Sequence, residues 1–207
     1  MGGCAGRRIF FGVPEVRGGI REKRWGQCPP CVFKHTDLIW ANCEGSLLQH
    51  NDFSQAKLIA TNLTRCNLSH SQLRLANLLT ANTTNAILDY IDFRGQDISG
   101  LTLRDVSLVG SNLTGQQLAR VDLTNTNLEG ANLQDADLSN ALLAGARLIN
   151  CNFQGARLSG ALCKSANFSG VDLSGMDLHK VDFSNADLSD CDLRSASLSK
   201  AKLMNTD

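Results

Sequence analysis

The chain has 207 residues with 20 Lys and Arg against 20 Asp and Glu, so its formal net charge is zero. That balance removes any global electrostatic case for nucleic acid or an anionic membrane, and no apolar run approaches the roughly 18 residues of a membrane-spanning helix. Aromatics are only 5% of the residues and Pro only 3; Leu and small residues carry the hydrophobicity, which is unusual for a core that normally takes its bulk from rings.

Residues 1–30 are rich in Gly and Arg and show no period of 2 or 3.6. Within 1–32, Arg7, Arg8, Arg17, Arg21, Lys23 and Arg24 stand against Glu15 and Glu22, a local balance of +4 that leaves −4 for the remainder. The composition predicts a disordered leader; the alternative is a cap over the first coil of a repeat stack. Met1–Phe11 has bases but no apolar h-region, so it is not a secretory signal. Gly6 stands where a myristoylation site requires Ser or Thr.

From Cys31 onward one rule holds without a slip. A large apolar residue, here called the centre, returns every fifth position from Phe33 to Leu203, and 25 of these 35 centres are Leu. Two places before each centre lies a small residue, Ala in 15 cases. The residue just before the centre is Asp or Asn in 21 cases, and Gly is frequent two places after it, as at Gly95, Gly130 and Gly155. A helix cannot produce this pattern, since five residues turn about 500° and the apolar face would wander. A strand of period two cannot either, because alternate fives would change face. Asn, Asp and Gly are turn formers, so the chain must bend sharply once per five residues, with one large and one small side chain pointing inward per side.

These residues resemble the pentapeptide-repeat family, whose pattern is A(D/N)LxX, over about 31–207. The resemblance implies an all-β single domain: a right-handed, square parallel β-helix of about nine coils, twenty residues each. In that geometry residues twenty apart stack. Leu123, Leu128, Leu133, Leu138, Phe153, Phe168 and Phe183 then belong to the core. Gln96 and Gln116 both fall on the small inward position, which predicts an amide ladder or a local bulge, because buried amides must be hydrogen-bonded. With Ile91, Leu101 and Val106 oversizing the same position, Thr83–Gln117 is the least ideal segment.

Chemistry is harder to find. Six of the eight Cys (31, 43, 66, 151, 163, 191) fall on inward positions and read as reduced core residues, pointing to the cytoplasm. Cys28-Pro-Pro-Cys31 is a lone CxxC without a second pair at ligand spacing, so neither zinc nor any other cofactor is predicted. His35, His50, His70 and His179 read as outward and scattered through different corners. The series Asp172, Asp177, Asp182, Asp187 and Asp192 reads as corner hydrogen bonding rather than a carboxylate site. Arg74 and Arg94, with Asp172 and Asp192, form the candidate partner surface, and no catalytic residue is assigned. The expectation is a non-enzymatic scaffold for unknown protein partners, with no small-molecule substrate, no membrane span and no nucleic acid, and with pairing of uncapped ends into a homodimer open to it. The family resemblance adds two alternatives: a DNA mimic that protects type II topoisomerase (DNA gyrase), and a repeat segment of a secreted effector or multidomain signalling protein.

Overall fold

The structure, a computed structural model, describes residues 31–207; the expectations for the basic leader and for Cys28 lie outside them. The unit of the fold is a five-residue turn. The carbonyl of nearly every centre accepts the N–H three residues on, as in Ala56 N to Phe53 O at 2.9 Å and Ala136 N to Leu133 O at 3.0 Å; Asn51 N and Ile91 N donate instead to Ser71 Oγ and Ser111 Oγ. The residue two after the centre takes a positive φ near 60°, whether it is Gly130 (66°), Asp135 (56°) or Trp40 (61°). Positive φ at that place is the requirement of a type II turn. Gly100 alone departs from it.

Four such turns bring the chain back over itself. Every backbone pairing is parallel and joins residues twenty apart, for example Asn132 with Asn152. The centre N–H donates to the carbonyl nineteen residues on (Leu133 N to Asn152 O, 2.8 Å), and the preceding residue donates twenty-one back (Asn132 N to Ser111 O, 2.9 Å). The result is a repeat β-solenoid with four walls. The first wall carries outward residues Val32, Asp52, Gln72, Asp92 and so on by twenties; the second begins at Asp37, the third at Asn42 and the fourth at Leu47.

The preference for Asp or Asn before the centre has a local cause. That side chain's Oδ1 accepts the N–H two residues later, closing an Asx turn: Gln134 N to Asn132 at 3.1 Å, and Ser139 N to Asp137 at 3.0 Å. The amide of Asn then reaches the next coil, as Asn152 Nδ2 does to Asn132 Oδ1 at 3.0 Å.

Inside, Leu123, Leu128, Leu133, Leu138, Phe153, Phe168 and Phe183 are all fully or almost fully buried. Phe33 stacks on Phe53 with ring centroids 4.6 Å apart, and Phe168 bridges Phe153 and Phe183 at 5.9 and 5.4 Å. From Thr61 onward, polar residues in the small position follow a shared rule: each donates to the centre carbonyl twenty-three residues earlier. Thr61 Oγ1 does so to Leu38 O (2.8 Å), Cys151 Sγ to Leu128 O (2.9 Å) and Gln116 Nε2 to Phe93 O (2.7 Å). Gln96 Nε2 reaches Leu73 O in the same way. The amide ladder expected between Gln96 and Gln116 therefore does not form; each amide finds a nearer carbonyl.

The coil 91–110 does pack irregularly. Its four small positions hold Ile91, Gln96, Leu101 and Val106, and Asp97 and Thr102 enter no backbone pairing with either neighbouring coil. Overfilling a close-packed interior pushes the backbone aside.

Leu133 lies mid-rod and is fully buried. Leu133→Asp places an unpaired charge in the tube, at a cost of several kcal/mol, and abolishes cooperative thermal unfolding followed by circular dichroism.

Candidate functional site

Exact repetition by twenty residues lines up identical turn positions along each corner. At the corner between the fourth and first walls this stacks His50 on His70 (centroids 4.9 Å, interplanar 3°) and His70 on Tyr90 (4.6 Å, 7°). The column ends at Gly110, where a Cβ would meet the Tyr90 ring at 2.5 Å; only Gly leaves space for the ring there. The reading of the histidines as scattered is thus corrected for this pair. His50 and His70 differ by twenty, the same arithmetic that aligns the core.

Beside this column a groove runs along the first wall, lined by His70, Gln72, Arg74, Tyr90, Asp92 and Arg94. Arg94 forks onto Asp92, with Nη2 to Oδ2 at 2.7 Å and Nε to Oδ1 at 3.0 Å. That guanidinium holds the Asp92 carboxyl below the usual carboxylate range. The Arg74 side chain, by contrast, makes no ion pair or hydrogen bond to another of the described residues, so the two arginines share a wall but not a role. Asp172 and Asp192 pair across coils on the same wall, about 20 Å further along at about 4.8 Å per coil. The four residues of the candidate partner surface are therefore co-facial but do not converge.

Apolar exposure concentrates nearby. Trp40, Leu75, Leu79 and Tyr90 are 79%, 64%, 56% and 54% exposed. Leu75 and Leu79 flank a second groove, on the second wall, beside Gln96 and Asp97. Ile39, Ile59 and Leu79 occupy one column by twenties, with Trp40 at its head.

The thiols are unsuited to nucleophilic chemistry. Burial pushes Cys43 up to about 11, and Cys66 and Cys151 up to about 12; Cys163 is raised further by the same cause. Among the described residues no three His, Cys, Asp or Glu side chains converge as metal ligands, and no helix is long and apolar enough to cross a membrane. The Asp series is engaged in turns: Asp172, Asp177, Asp187 and Asp192 accept the N–H of Ser174, His179, Ser189 and Arg194 at 2.9 to 3.0 Å. Asp182 is buried, accepts from Ser184 Oγ at 2.6 Å, and faces Lys202 and Lys164 at 3.4 and 3.6 Å. The surface offers donors, ring edges and apolar side chains in open grooves, which is equipment for binding.

Eight copies of the family model described as pentapeptide repeats match the chain, in segments from 31–65 through 177–207. The chain belongs to the pentapeptide-repeat family. Among solved structures it is similar to HetL, a pentapeptide repeat protein involved in heterocyst differentiation regulation from the cyanobacterium Nostoc sp. strain PCC 7120. The identity is 25% and the TM-score 0.52, over 84% of this chain and 91% of that one. It shares its fold with a trypsin-treated form of QnrB1, a plasmid-mediated fluoroquinolone resistance protein, at 24% identity and TM-score 0.54, over 85% and 88% of the two chains. Among curated protein sequences no match is found.

Asp192 shows how such a turn carboxylate responds to acid. Hydrogen bonds from the Arg194 side chain lower it to about 2. A depressed folded value means its contribution is complete above the unfolded value of about 3.9 and is lost as pH falls through about 2. Asp172 and Asp187 are shifted the same way by hydrogen bonds from Ser174 and Ser189. The melting temperature therefore falls as pH is lowered from about 4 to about 2. In Arg194→Gln the Asp192 midpoint, read by NMR titration, moves up toward the ordinary carboxylate value.

Proposed function

We propose that this pentapeptide-repeat protein is a non-catalytic scaffold, a square right-handed β-helix of about nine coils that binds another protein through its N-terminal half. One observation carries the reading: large exposed apolar and aromatic side chains form a band over the first and second walls, from Tyr90 past the uncommitted Arg74 and Leu75 to Leu79 and Trp40. Trp, Tyr and Arg are the residues that most often dominate protein–protein contacts, and exposed apolar surface gathered in one region marks an interaction site. The inward, desolvated thiols fit a reducing compartment such as the cytoplasm.

The gyrase-protector alternative calls for an acidic wall that mimics phosphate. Here the first wall alternates in sign, with Arg74, Arg94 and Arg194 among its aspartates, so the scaffold reading is preferred.

The test compares copurification from native lysate for the unmodified chain and for a Trp40→Ser, Leu75→Ser, Leu79→Ser variant with unchanged melting. The bound partner falls at least tenfold in the variant; an unchanged set of bound proteins refutes the assignment of this region. In a DNA supercoiling assay, added rod leaves gyrase activity unchanged, and inhibition would favour the DNA-mimic reading.

A further inference from the structure

We propose that the coil 91–110 is a one-sided joint: the rod opens at the junction above it along three walls and hinges on the fourth. The observation is the distribution of ladder bonds between coils 71–90 and 91–110. On the first three walls, among the described residues, the N–H groups of Leu73, Leu78 and Thr83 do not reach the carbonyls nineteen residues on. Neither do those of Asp92, Asp97 and Thr102 reach the carbonyls twenty-one back. On the fourth wall the same ladder is whole: Leu88 N to Ser107 O at 2.7 Å, Tyr90 N to Val109 O at 2.8 Å, and Ser107 N to Ala86 O at 3.0 Å.

The fourth wall is also reinforced. Asp89 Oδ1 accepts from Ser107 Oγ at 2.6 Å and from Val109 N at 2.9 Å. Ser111 Oγ donates to Leu88 O at 2.8 Å, and the His50–His70–Tyr90 column runs along that wall's edge and ends against Gly110. At the following junction, bonds are again missing at Ile98 and Leu103, while Leu108 N still meets Asn127 O at 2.7 Å. One continuous strap thus passes two interrupted junctions.

The cause lies in side-chain volume. Ile91, Gln96 and Leu101 fill the small inward positions of the three open walls, whereas on the fourth wall Val106 is accommodated. The same relation recurs lower in the rod. Val171 and Met176 occupy the small positions of the first two walls, and there Phe153 N and Leu158 N lack their ladder partners. At that junction the third and fourth walls are both closed, by Cys163 N to Asp182 O at 2.8 Å and Phe168 N to Asp187 O at 2.8 Å. Two closed walls resist bending; a single strap permits it. Side-chain bonds from Gln96 to Leu73 O and from Thr83 Oγ1 to Thr102 O (2.6 Å) span the open side. They satisfy carbonyls without fixing the backbone register. Regions with few paired amides open at low free energy relative to the whole fold.

The test measures spin–spin distances in the full chain, with labels on non-native side chains that bypass the thiols. One pair spans the joint on the second wall, at Asp37 and Asp137; the other spans it on the fourth, at Leu47 and Arg147. Each pair is five coils, about 24 Å, apart. The second-wall distribution is at least twice as wide as the fourth-wall one, and Gln96→Ala with Leu101→Ala narrows it to match. Equal widths in the unmodified sequence, or a width unmoved by that double substitution, overturn the joint. Amide hydrogen exchange supplies a second readout. Leu78, Thr83 and Asp97 exchange at least a hundredfold faster than Leu88 and Ser107 of the same two coils, and the double substitution removes the difference; persistence of the difference in the substituted chain counts against the proposal.

Discussion

The volume available two residues before each centre governs this molecule. With a small side chain there a coil closes its backbone ladder onto the coil above, and every wall that fails to close carries a larger one, although Val106 and Val181 are accommodated. Ala131, Ala136, Ala141 and Ala146 meet the condition together, and the coil they form is bonded to the next on all four walls. A hydroxyl or thiol also fits, because a centre carbonyl lies within its reach, as for Thr61 and Cys151. Longer side chains push the coils apart, and the loss is local to the wall that carries them. Core packing and hydrogen bonding are here one constraint, since the ladder spacing of about 4.8 Å is also the thickness of each core layer.

Much of this was legible in the sequence, because the repeat is rigid arithmetic. The register from Phe33 to Leu203, the inward and outward positions, and the irregularity around Gln96 all follow from counting in fives and twenties. The His50–His70–Tyr90 column follows from the same count of twenty, although nothing in the residue types themselves marks it as a stack. Other features lay beyond counting. That Arg94 is committed to Asp92 while Arg74 is not depends on rotamers, not on register. That Gln96 and Gln116 bond to carbonyls rather than to each other depends on which acceptor lies nearer in three dimensions. The Asp and Asn residues before the centres read as corner formers, and Oδ1 atoms such as those of Asn132 and Asp137 hold the turn N–H groups.

The turn position explains how so regular a backbone can carry an irregular surface. Trp40, His70, Leu75 and Tyr90 all take positive φ, a conformation that costs an ordinary residue about 1–2 kcal/mol. A turn hydrogen bond (Ala76 N to Leu73 O, 2.8 Å), a ladder bond from the turn N–H (Tyr90 N to Val109 O, 2.8 Å) or both hold it in place regardless of the side chain. Corner residues are therefore free to vary in chemistry without changing the fold.

The orientation of the ladder has a mechanical consequence. Its bonds connect one coil to the next and so run along the rod's long axis. Tension applied at the two ends loads them in series, coil against coil, rather than in shear along a strand. The rod then yields at its least-bonded cross-section, which is the junction above Ile91, where the backbone ladder is carried by the fourth wall alone. Force on this molecule would not unravel it from an end; it would part it in the interior, leaving 31–90 and 91–207 as two shorter stacks, each with its ladder still largely in place.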